Sequence, residues 1–272
     1  TCALPILPKP GVDVCFVLDN SASMIQTEGY IGGISRKTLS VNSLQKLIDK
    51  FKAANPETDS LRIGGVIFSA KNNNYGNPIV PMSSNESNWQ NLVNTYKNTP
   101  SDGDTYTQKA LMDAQTMLNN VGGTDRRKVI FLLTDGAPNM SAVPIALKND
   151  TNIYYDGVRI TQNDGNSIAG GSYLQAAPTG GKSYTVKIPE GYYIAQPNRC
   201  IYSHLTPVNS TAADIKDQGM EINSIAINIK KNFTYEGHSD AELIRGLYKI
   251  ASKKSNATGD IQNDYQIGRA HV

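Results

Sequence analysis

The chain has 272 residues, and 26 Lys and Arg residues against 24 Asp and Glu residues give it a formal net charge of +2. This balance argues against a dedicated binder of nucleic acid or of an anionic membrane, and no apolar run approaches the roughly 18 residues of a membrane span. Hydrophobic residues make up 39% of the sequence, which suits the core of one α/β domain with additions.

Strands and helices are predicted to alternate from the start of the chain. A continuous apolar run predicts a buried central strand over residues 12–18. Residues 38–54 have the spacing of a helix, and residues 61–68 read as a second strand. Residues 78–82 predict a short third strand, and its two prolines suit only the edge of a sheet.

The alternation resumes later in the chain. The predicted elements are, in order, a helix over residues 107–118, a strand over 128–133, a helix over 212–218, a strand over 221–229 and a helix over 240–251. Gly219 ends the second of these helices, and Ser239 is a suitable N-cap for the third. A last strand is expected around residues 261–265. Such alternation predicts a mostly parallel sheet with helices on both faces.

Residues 141–210 break this rhythm and predict an inserted β-rich arm. Residues 152–155 and 158–161 flank Asp156-Gly157, a dipeptide that suits the two-residue turn of a β-hairpin. A second alternating segment, residues 183–188, turns into residues 192–194. We therefore expect the arm to consist of β-hairpins and loops.

The two terminal hexapeptides, residues 1–6 and 267–272, look foreign to the domain. The DNA string ATCGGAAGAGCACACGTC encodes the second hexapeptide, and its complementary strand, read from the second base, encodes the start of the first. This indicates a sequencing-adapter scar at each end, so we expect the natural segment, residues 7–266, to be part of a longer protein with other domains. Without Arg269 the charge is 25 − 24 = +1.

Three short stretches, far apart in sequence, carry oxygen ligands. They are Asp19-Asn20-Ser21-Ala22-Ser23, Gly103-Asp104-Thr105-Tyr106-Thr107 and Thr134-Asp135-Gly136. The first and third follow apolar strands, and the second opens a helix, so the carboxyl edge of a parallel sheet would bring them together. Hydroxyl and carboxylate oxygens are hard ligands that suit Mg²⁺, Mn²⁺ or Ca²⁺. The sequence therefore predicts one divalent-cation site.

This pattern resembles the metal-ion-dependent adhesion site of the von Willebrand factor A (VWA) domain family, in which Asp-x-Ser-x-Ser precedes a Thr and a later Asp. The resemblance implies that Ser21 and Ser23 coordinate the cation directly. It also implies that Thr105 does so directly or through water, and that Asp19 and Asp135 act mostly through water. The implied fold is α/β and Rossmann-like, with a mostly parallel sheet and one antiparallel edge strand.

The residues around this pattern have simpler interpretations. Asp102 and Asp104 flank Thr105, and we expect them to be solvated rather than to support the metal. Asn20 and Asn139 lie in the metal-proximal loops, where shaping the rim of the site is the alternative to an ordinary loop role.

Enzyme signatures fail on inspection, and we expect no catalysis. Gly180-Gly181-Lys182-Ser183 has Ala176 where a phosphate-binding loop needs its first glycine. Residues 165–169 lack the last glycine of a nucleophile elbow. His204 and His238 do not have the spacing of a zinc site.

The two cysteines outside the terminal hexapeptides leave one alternative open. Cys15 lies in a strand that should be buried, which favours a small core residue. A disulfide between Cys15 and Cys200 is the other possibility, and two cysteines do not identify a compartment.

The resemblance implies that the function is metal-dependent binding of a protein or extracellular-matrix ligand whose carboxylate completes the coordination. The Leu-Asp-Asn-Ser form and the long insert are similar to VWA domains of bacterial surface adhesins and pilus-associated proteins, which implies an extracellular or cell-surface location. An intracellular VWA subunit that partners an AAA+ ATPase or chelatase complex is the alternative. A signal peptide in the full reading frame would argue against it.

Overall fold

The computed structural model describes residues 10–25, 33–57, 59–70, 76–123, 125–135, 138–142, 152–155, 158–161, 167–170, 178–180, 185–187, 192–195, 205–227, 229, 234–235, 238–239, 244, 246–248, 250–252 and 267–270. Its strands are β1 (Val12–Asp19), β2 (Leu61–Phe68), β3 (Ile79–Ser83), β4 (Arg127–Thr134), β5 (Met140–Ala142), β6 (Asn152–Tyr155), β7 (Val158–Thr161), β8 (Ser167–Gly170), β9 (Pro178–Gly180), β10 (Thr185–Lys187), β11 (Tyr192–Ala195), β12 (Glu221–Ile227), β13 (Thr234–Tyr235), β14 (His238–Ser239) and β15 (Ile267–Ala270). Its helices are α1 (Arg36–Ala54), α2 (Glu86–Asn98), α3 (Thr107–Asn120) and α4 (Leu205–Asp217).

Six of these strands form a central sheet in the order β15-β12-β4-β1-β2-β3. All neighbours in this sheet are parallel except β2 and β3, which are antiparallel. The predicted α/β fold, with one antiparallel strand at an edge, is therefore confirmed. The central position of β1 explains its sequence, because a strand covered on both faces must be apolar throughout.

Helices cover both faces of the sheet. Alternate residues of β1 face opposite layers, so Phe16 packs with α1 and α2, whereas Val17 packs with α3 and α4. Residues 244, 246–248 and 250 are also helical, and Leu247 and Ile250 join the second layer. No helix in the described part of the chain combines the length and hydropathy that a membrane crossing requires.

Two glycines in β2 let the layers come close to the sheet. A Cβ on Gly64 would lie 2.9 Å from the backbone nitrogen of Met82 and 2.8 Å from the sulfur of Met117. A Cβ on Gly65 would lie 2.5 Å from Leu92. These positions therefore require glycine because of space, not because of an unusual backbone angle.

Cys15 behaves as a core residue, as the strand assignment predicted. It is fully buried, it has a free thiol, and that thiol lies 3.8 Å from the sulfur of Met117. Burial raises the pKa of the thiol. Cys15 therefore does not form the alternative disulfide. Its proposed partner, Cys200, lies outside the described residues.

Helix α2 was not predicted, although its buried side chains recur at helical spacing. Trp89, Leu92, Val93 and Tyr96 all face the core. Asn85 caps the helix, and its side chain accepts a 2.9 Å hydrogen bond from the amide of Ser87. The sequence of α2 contains many asparagines, and Asn is a poor residue for helix interiors. Its composition therefore argued against a helix.

The arm has the predicted hairpins but ends earlier than predicted. Strands β6 and β7 pair antiparallel around residues 156–157, and β10 and β11 pair antiparallel as well. Helix α4 begins at Leu205 rather than at residue 212, and Val208 is fully buried. The start of α4 therefore lies within the range predicted for the arm, and Val208 belongs to the core layer.

The two ends of the domain differ from the expected pattern in one respect. The edge strand β15 occupies residues 267–270 and pairs with β12, whereas the predicted last strand, residues 261–265, lies outside the described residues. Residues 1–6 also lie outside them. That both terminal hexapeptides are adapter scars stays a prediction.

Ser239 lies in the short β13–β14 pair, and residues 240–243 are not described, so its role as an N-cap is untested.

Candidate metal centre

The loops after β1 and before α3 meet at the carboxyl edge of the sheet, as the strand order requires. The amide of Ala22 donates a 3.0 Å hydrogen bond to the carbonyl of Gly103, and the amide of Asp102 donates one of 3.0 Å to the carbonyl of Asn20. Two of the three predicted ligand-bearing stretches are thus tied to each other by backbone contacts.

Both carboxylate oxygens of Asp19 are engaged by hydroxyl or amide donors. Oδ1 accepts hydrogen bonds from the amide of Ser21 (2.9 Å) and from its hydroxyl (2.7 Å). Oδ2 accepts a 2.7 Å bond from the hydroxyl of Thr134. Because Asp19 is fully buried, these bonds fix its position between the ends of β1 and β4.

The serine hydroxyls face each other in the loop after β1. Ser21 precedes the 3₁₀ turn Ala22–Met24, yet its side chain makes no capping bond. Its hydroxyl instead lies 2.7 Å from Asp19 and 3.0 Å from the hydroxyl of Ser23. The loop therefore presents a pair of neutral oxygens next to a buried carboxylate.

Thr105 is held in the same region by Asn139. The amide of Thr105 donates a 2.7 Å bond to Oδ1 of Asn139, and the amide of Asn139 donates a 3.2 Å bond to the carbonyl of Thr105. Asn139 also donates to the carboxylate of Asp104, which is exposed, while Asp102 accepts from the amide of Gly103. Asn139 thus holds the loop before α3 in place. Asp102 and Asp104 each accept a hydrogen bond from a residue of these same loops.

Asp135 is fully buried and forms an ion pair with an arginine that the sequence pattern did not identify. Its Oδ2 lies 3.0 Å from Nη1 of Arg36, and the same nitrogen donates a 3.2 Å bond to the carbonyl of Ser23. Oδ1 of Asp135 has no hydrogen-bond partner among the described residues. A buried carboxylate oxygen without a partner is costly, and a cation or a cation-bound water would satisfy it.

The electrostatics of the site also favour a cation. Burial raises the pKa of Asp19 to about 7, the negative charge of Asp135 adds to the rise, and hydrogen bonds from Thr134 and Ser21 oppose it. Arg36 pairs with one of the two buried carboxylates, Asp135, whereas the hydrogen-bond donors to Asp19 are neutral hydroxyls and an amide, so additional positive charge would favour the ionised form of Asp19. Among the described residues no three His, Cys, Asp or Glu side chains gather, so any cation here would depend on hydroxyl oxygens as well.

A buried lysine next to the site was also missed. Lys37 donates a hydrogen bond to Oδ1 of Asn20 and lies 3.7 Å from the ring centre of Tyr96. Burial lowers the pKa of Lys37 to about 7, and the negative charge of Asp19 opposes this shift. The hydroxyl of Tyr96 donates 2.7 Å to the backbone carbonyl of Asp19, so α2 also supports the loop.

One signal in the sequence could have identified Arg36 and Lys37. Two cations directly after Ser35, the N-cap of α1, lie at the positive end of a helix dipole, where basic side chains are unfavourable. Their presence indicates nearby anions or acceptors. The apolar spacing alone predicts a helix that starts at residue 38, two residues after the observed start of α1.

The three predicted stretches therefore converge on one edge of the sheet. The structure joins Asp19 to Ser21 and Thr134, places Ser21 next to Ser23, and ties Thr105 to the loop that carries Asn139. The donor set of hydroxyls with two carboxylates is the chemistry that Mg²⁺, Mn²⁺ and Ca²⁺ prefer. Whether these residues bind a metal stays a prediction.

Comparison with known proteins agrees with this architecture. A family model described as the von Willebrand factor type A domain matches residues 13–170. Among curated protein sequences, none is significantly similar to the chain.

Several solved structures share the fold at low identity. The open conformation of the pilus adhesin SpaC from Lactobacillus rhamnosus GG is 17% identical with a TM-score of 0.65, and the match covers 98% of this chain and 28% of that one. The adhesive tip pilin GBS104 from group B Streptococcus agalactiae is 18% identical with a TM-score of 0.62, covering 96% of each chain. The pilus adhesin RrgA from Streptococcus pneumoniae is 17% identical with a TM-score of 0.59, covering 96% and 43%. This chain thus spans about a quarter of SpaC.

Proposed function

The chain belongs to the von Willebrand factor type A domain family, and from that premise we propose that it is a non-catalytic adhesion module. It binds a protein or extracellular-matrix ligand through a divalent cation, Mg²⁺ or else Mn²⁺ or Ca²⁺. The solved structures with the same fold include pilus adhesins and a tip pilin, which supports a place on a bacterial cell surface or pilus.

The observation that carries this proposal is the unsatisfied Oδ1 of Asp135. It lies in a buried site where both oxygens of Asp19 already accept hydrogen bonds from hydroxyl or amide donors. A folded protein rarely leaves a buried carboxylate oxygen without a partner. The remaining acceptor capacity therefore supports a bound cation at this edge of the sheet.

The residues have distinct parts in this proposal. Ser21 and Ser23 would hold the cation directly, Thr105 directly or through water, and Asp19 and Asp135 mostly through water. When bound, the cation supplies an electrophilic centre for a hard oxygen donor. Neutral hydroxyls compensate little of its charge, so a carboxylate of the partner is the donor that suits it.

The arm starts next to this site in the sequence, and its first strand lies near the loops of the site in the fold. Strand β5 begins five residues after Asp135, and Met140 is buried against Ala70 and Tyr106. The loop that leads into the arm is thus anchored beside the residues that would bind the cation. In the proposed function the arm adds contacts around the partner's carboxylate and sets which ligand is bound.

Calorimetry with Mg²⁺ and Mn²⁺ tests the metal site directly. We expect Ser21→Ala and Asp19→Ala to abolish binding while circular dichroism shows a folded protein. Ser87→Ala, on the exposed first turn of α2, is the matched control and should bind as the wild type does. Undiminished affinity in Ser21→Ala and Asp19→Ala would refute the assigned site.

A surface assay tests adhesion. The domain is applied to immobilised fibronectin and collagen with Mg²⁺, with Mn²⁺ and with EDTA. Capture that requires the cation is the expected result, whereas capture that survives chelation would show that the ligand binds elsewhere.

A further inference from the structure

Arg36 is a buried cation that joins two of the loops around the site. It is the first residue of α1 and is 3% exposed. Its Nη1 lies 3.0 Å from Oδ2 of Asp135 and 3.2 Å from the carbonyl of Ser23. The guanidinium thus contacts both the loop after β4 and the loop after β1.

Stability alone does not account for this position. A cation in the first turn of a helix opposes the helix dipole, and a buried ion pair often contributes no more stability than apolar side chains of the same size. The pair does, however, fix the charge of the site. Asp135 has one oxygen bound to Arg36 and leaves only Oδ1 for any other cation.

The charge of the loaded site depends on Arg36. Ligating carboxylates are ionised when a metal is bound, so Asp19 and Asp135 contribute −2 and a divalent cation contributes +2. Arg36 adds +1, and the sum is −2 + 2 + 1 = +1. Without Arg36 the same sum is zero. Lys37 adds the same charge in both cases and does not alter the difference.

We propose that Arg36 determines specificity at this site by leaving the metal-loaded site, rather than the domain as a whole, with a net positive charge. This charge selects a partner that offers a carboxylate, and it does so at the expense of metal affinity. Arg36 is too deeply buried to contact a ligand, so it acts through the electrostatic potential that its charge produces at the site. The inference rests on the proposed function and names the residue that sets its preference for an anion.

The proposal predicts opposite effects of one substitution. Removing the positive charge in Arg36→Gln lessens the repulsion of the cation and should tighten Mn²⁺ binding about tenfold or more. The same change removes attraction for an anion and should weaken acetate binding to the Mn²⁺-loaded protein about tenfold. A residue with a merely structural role would weaken both.

The experiment uses Mn²⁺ and acetate as probes at one pH and one ionic strength, with chloride replacing acetate in the control titration. Mn²⁺ affinity is measured by electron paramagnetic resonance, and acetate affinity by water proton relaxation of the loaded protein. Arg36→Lys keeps the charge and should stay within about threefold of the wild type for both probes. Arg127→Gln is the matched control, because Arg127 is 57% exposed and lies roughly 20 Å away along β4.

A second comparison covers the case in which Arg36→Gln does not fold. On an Asp135→Asn background no buried carboxylate is left unpaired, so Arg36→Gln can be added without that penalty. The double variant should bind acetate about tenfold more weakly than Asp135→Asn alone.

The outcomes separate the two proposals. Wild-type protein that takes up no Mn²⁺ overturns the proposed function and the role of Arg36 together. Wild-type protein that binds both probes, while Arg36→Gln weakens both or changes neither, overturns the role of Arg36 and leaves the metal-dependent function standing.

Discussion

The hydroxyl of Thr134 donates a 2.7 Å hydrogen bond to Oδ2 of Asp19, and this bond joins the last residues of two neighbouring parallel strands. Both side chains are buried, with Asp19 fully so. The bond favours the ionised carboxylate, which is the form that a metal site needs.

Thr134→Val should therefore weaken the site and the fold together. Loss of the bond leaves a buried carboxylate oxygen unsatisfied, and we expect the free energy of unfolding to fall by roughly 1–3 kcal/mol. Mg²⁺ affinity should fall as well. Chemical denaturation and calorimetry measure the two effects, and Thr134→Ser, which keeps the hydroxyl, is the control. Equal stability of the Val and Ser variants would show that this bond contributes nothing.

The metal-free protein should lose stability between about pH 4 and pH 7. The pKa of Asp19 is raised from an ordinary 3.8 to about 7 by burial and by Asp135. The native state therefore holds a proton that the unfolded chain has released in this range, and stability falls as pH rises. Urea unfolding in EDTA measures this slope, and Asp19→Asn should reduce it. A slope that is unchanged in Asp19→Asn would contradict the assignment.

Above about pH 7 the slope of stability against pH should change sign because of Lys37. Burial lowers its pKa from an ordinary 10.5 to about 7, so between these values the unfolded chain holds a proton that the native state has released. Stability then rises with pH up to about pH 9. Above that pH the thiol of Cys15 ionises in the unfolded chain but not in the core, and this opposes the rise. Lys37→Met should make this rise of stability with pH shallower and leave the acidic limb in place, while Lys216, whose pKa burial also lowers, keeps part of the rise. Together the two groups predict a minimum in the stability of the metal-free protein near pH 7.

Gly64→Ala should destabilise the domain, because the added methyl would meet the backbone of Met82 at 2.9 Å. A strand backbone cannot move aside as a flexible side chain can, so we expect a loss of about 1–3 kcal/mol. Gly122→Ala is the control, since a Cβ added there would meet no atom of the described residues within 4 Å. Thermal melts of both variants measure the effect, and equal melting temperatures would contradict the packing seen at β2.

The arm should be removable if the deletion ends before the first residue of α4. Replacing residues 143–204 with a Gly/Ser linker keeps Met140 and all of α4, and the entropy of loop closure changes slowly with length. We expect a folded domain that still binds Mg²⁺ but has altered ligand preference. Circular dichroism, thermal melts and calorimetry check this.

A longer deletion serves as the comparison for that experiment. Extending the cut to residue 210 removes Val208, which is fully buried in the core. This variant should melt at a clearly lower temperature than the first. Equal stability would show that the start of α4 contributes nothing to the core.

Most of the fold could be predicted because its signals are local. The apolar run of β1 and the oxygen-rich loop after it are contiguous in sequence, and so are those around β4. Arg36 could not be predicted as a partner of Asp135, because the pair spans 99 residues and depends on how α1 meets the sheet. The bond from Thr134 to Asp19 was missed for the same reason, although both residues lay within the recognised stretches.

The placement of β1 has a mechanical consequence for an adhesion module. All eight residues of β1 pair with β2, and the first seven pair with β4, in parallel register. A partner held at the proposed site would pull on the loop that directly follows this strand. Tension along β1 then loads the hydrogen bonds on its two sides in shear and at the same time, instead of peeling them apart one after another. The central strand would thus spread a tensile load across the sheet.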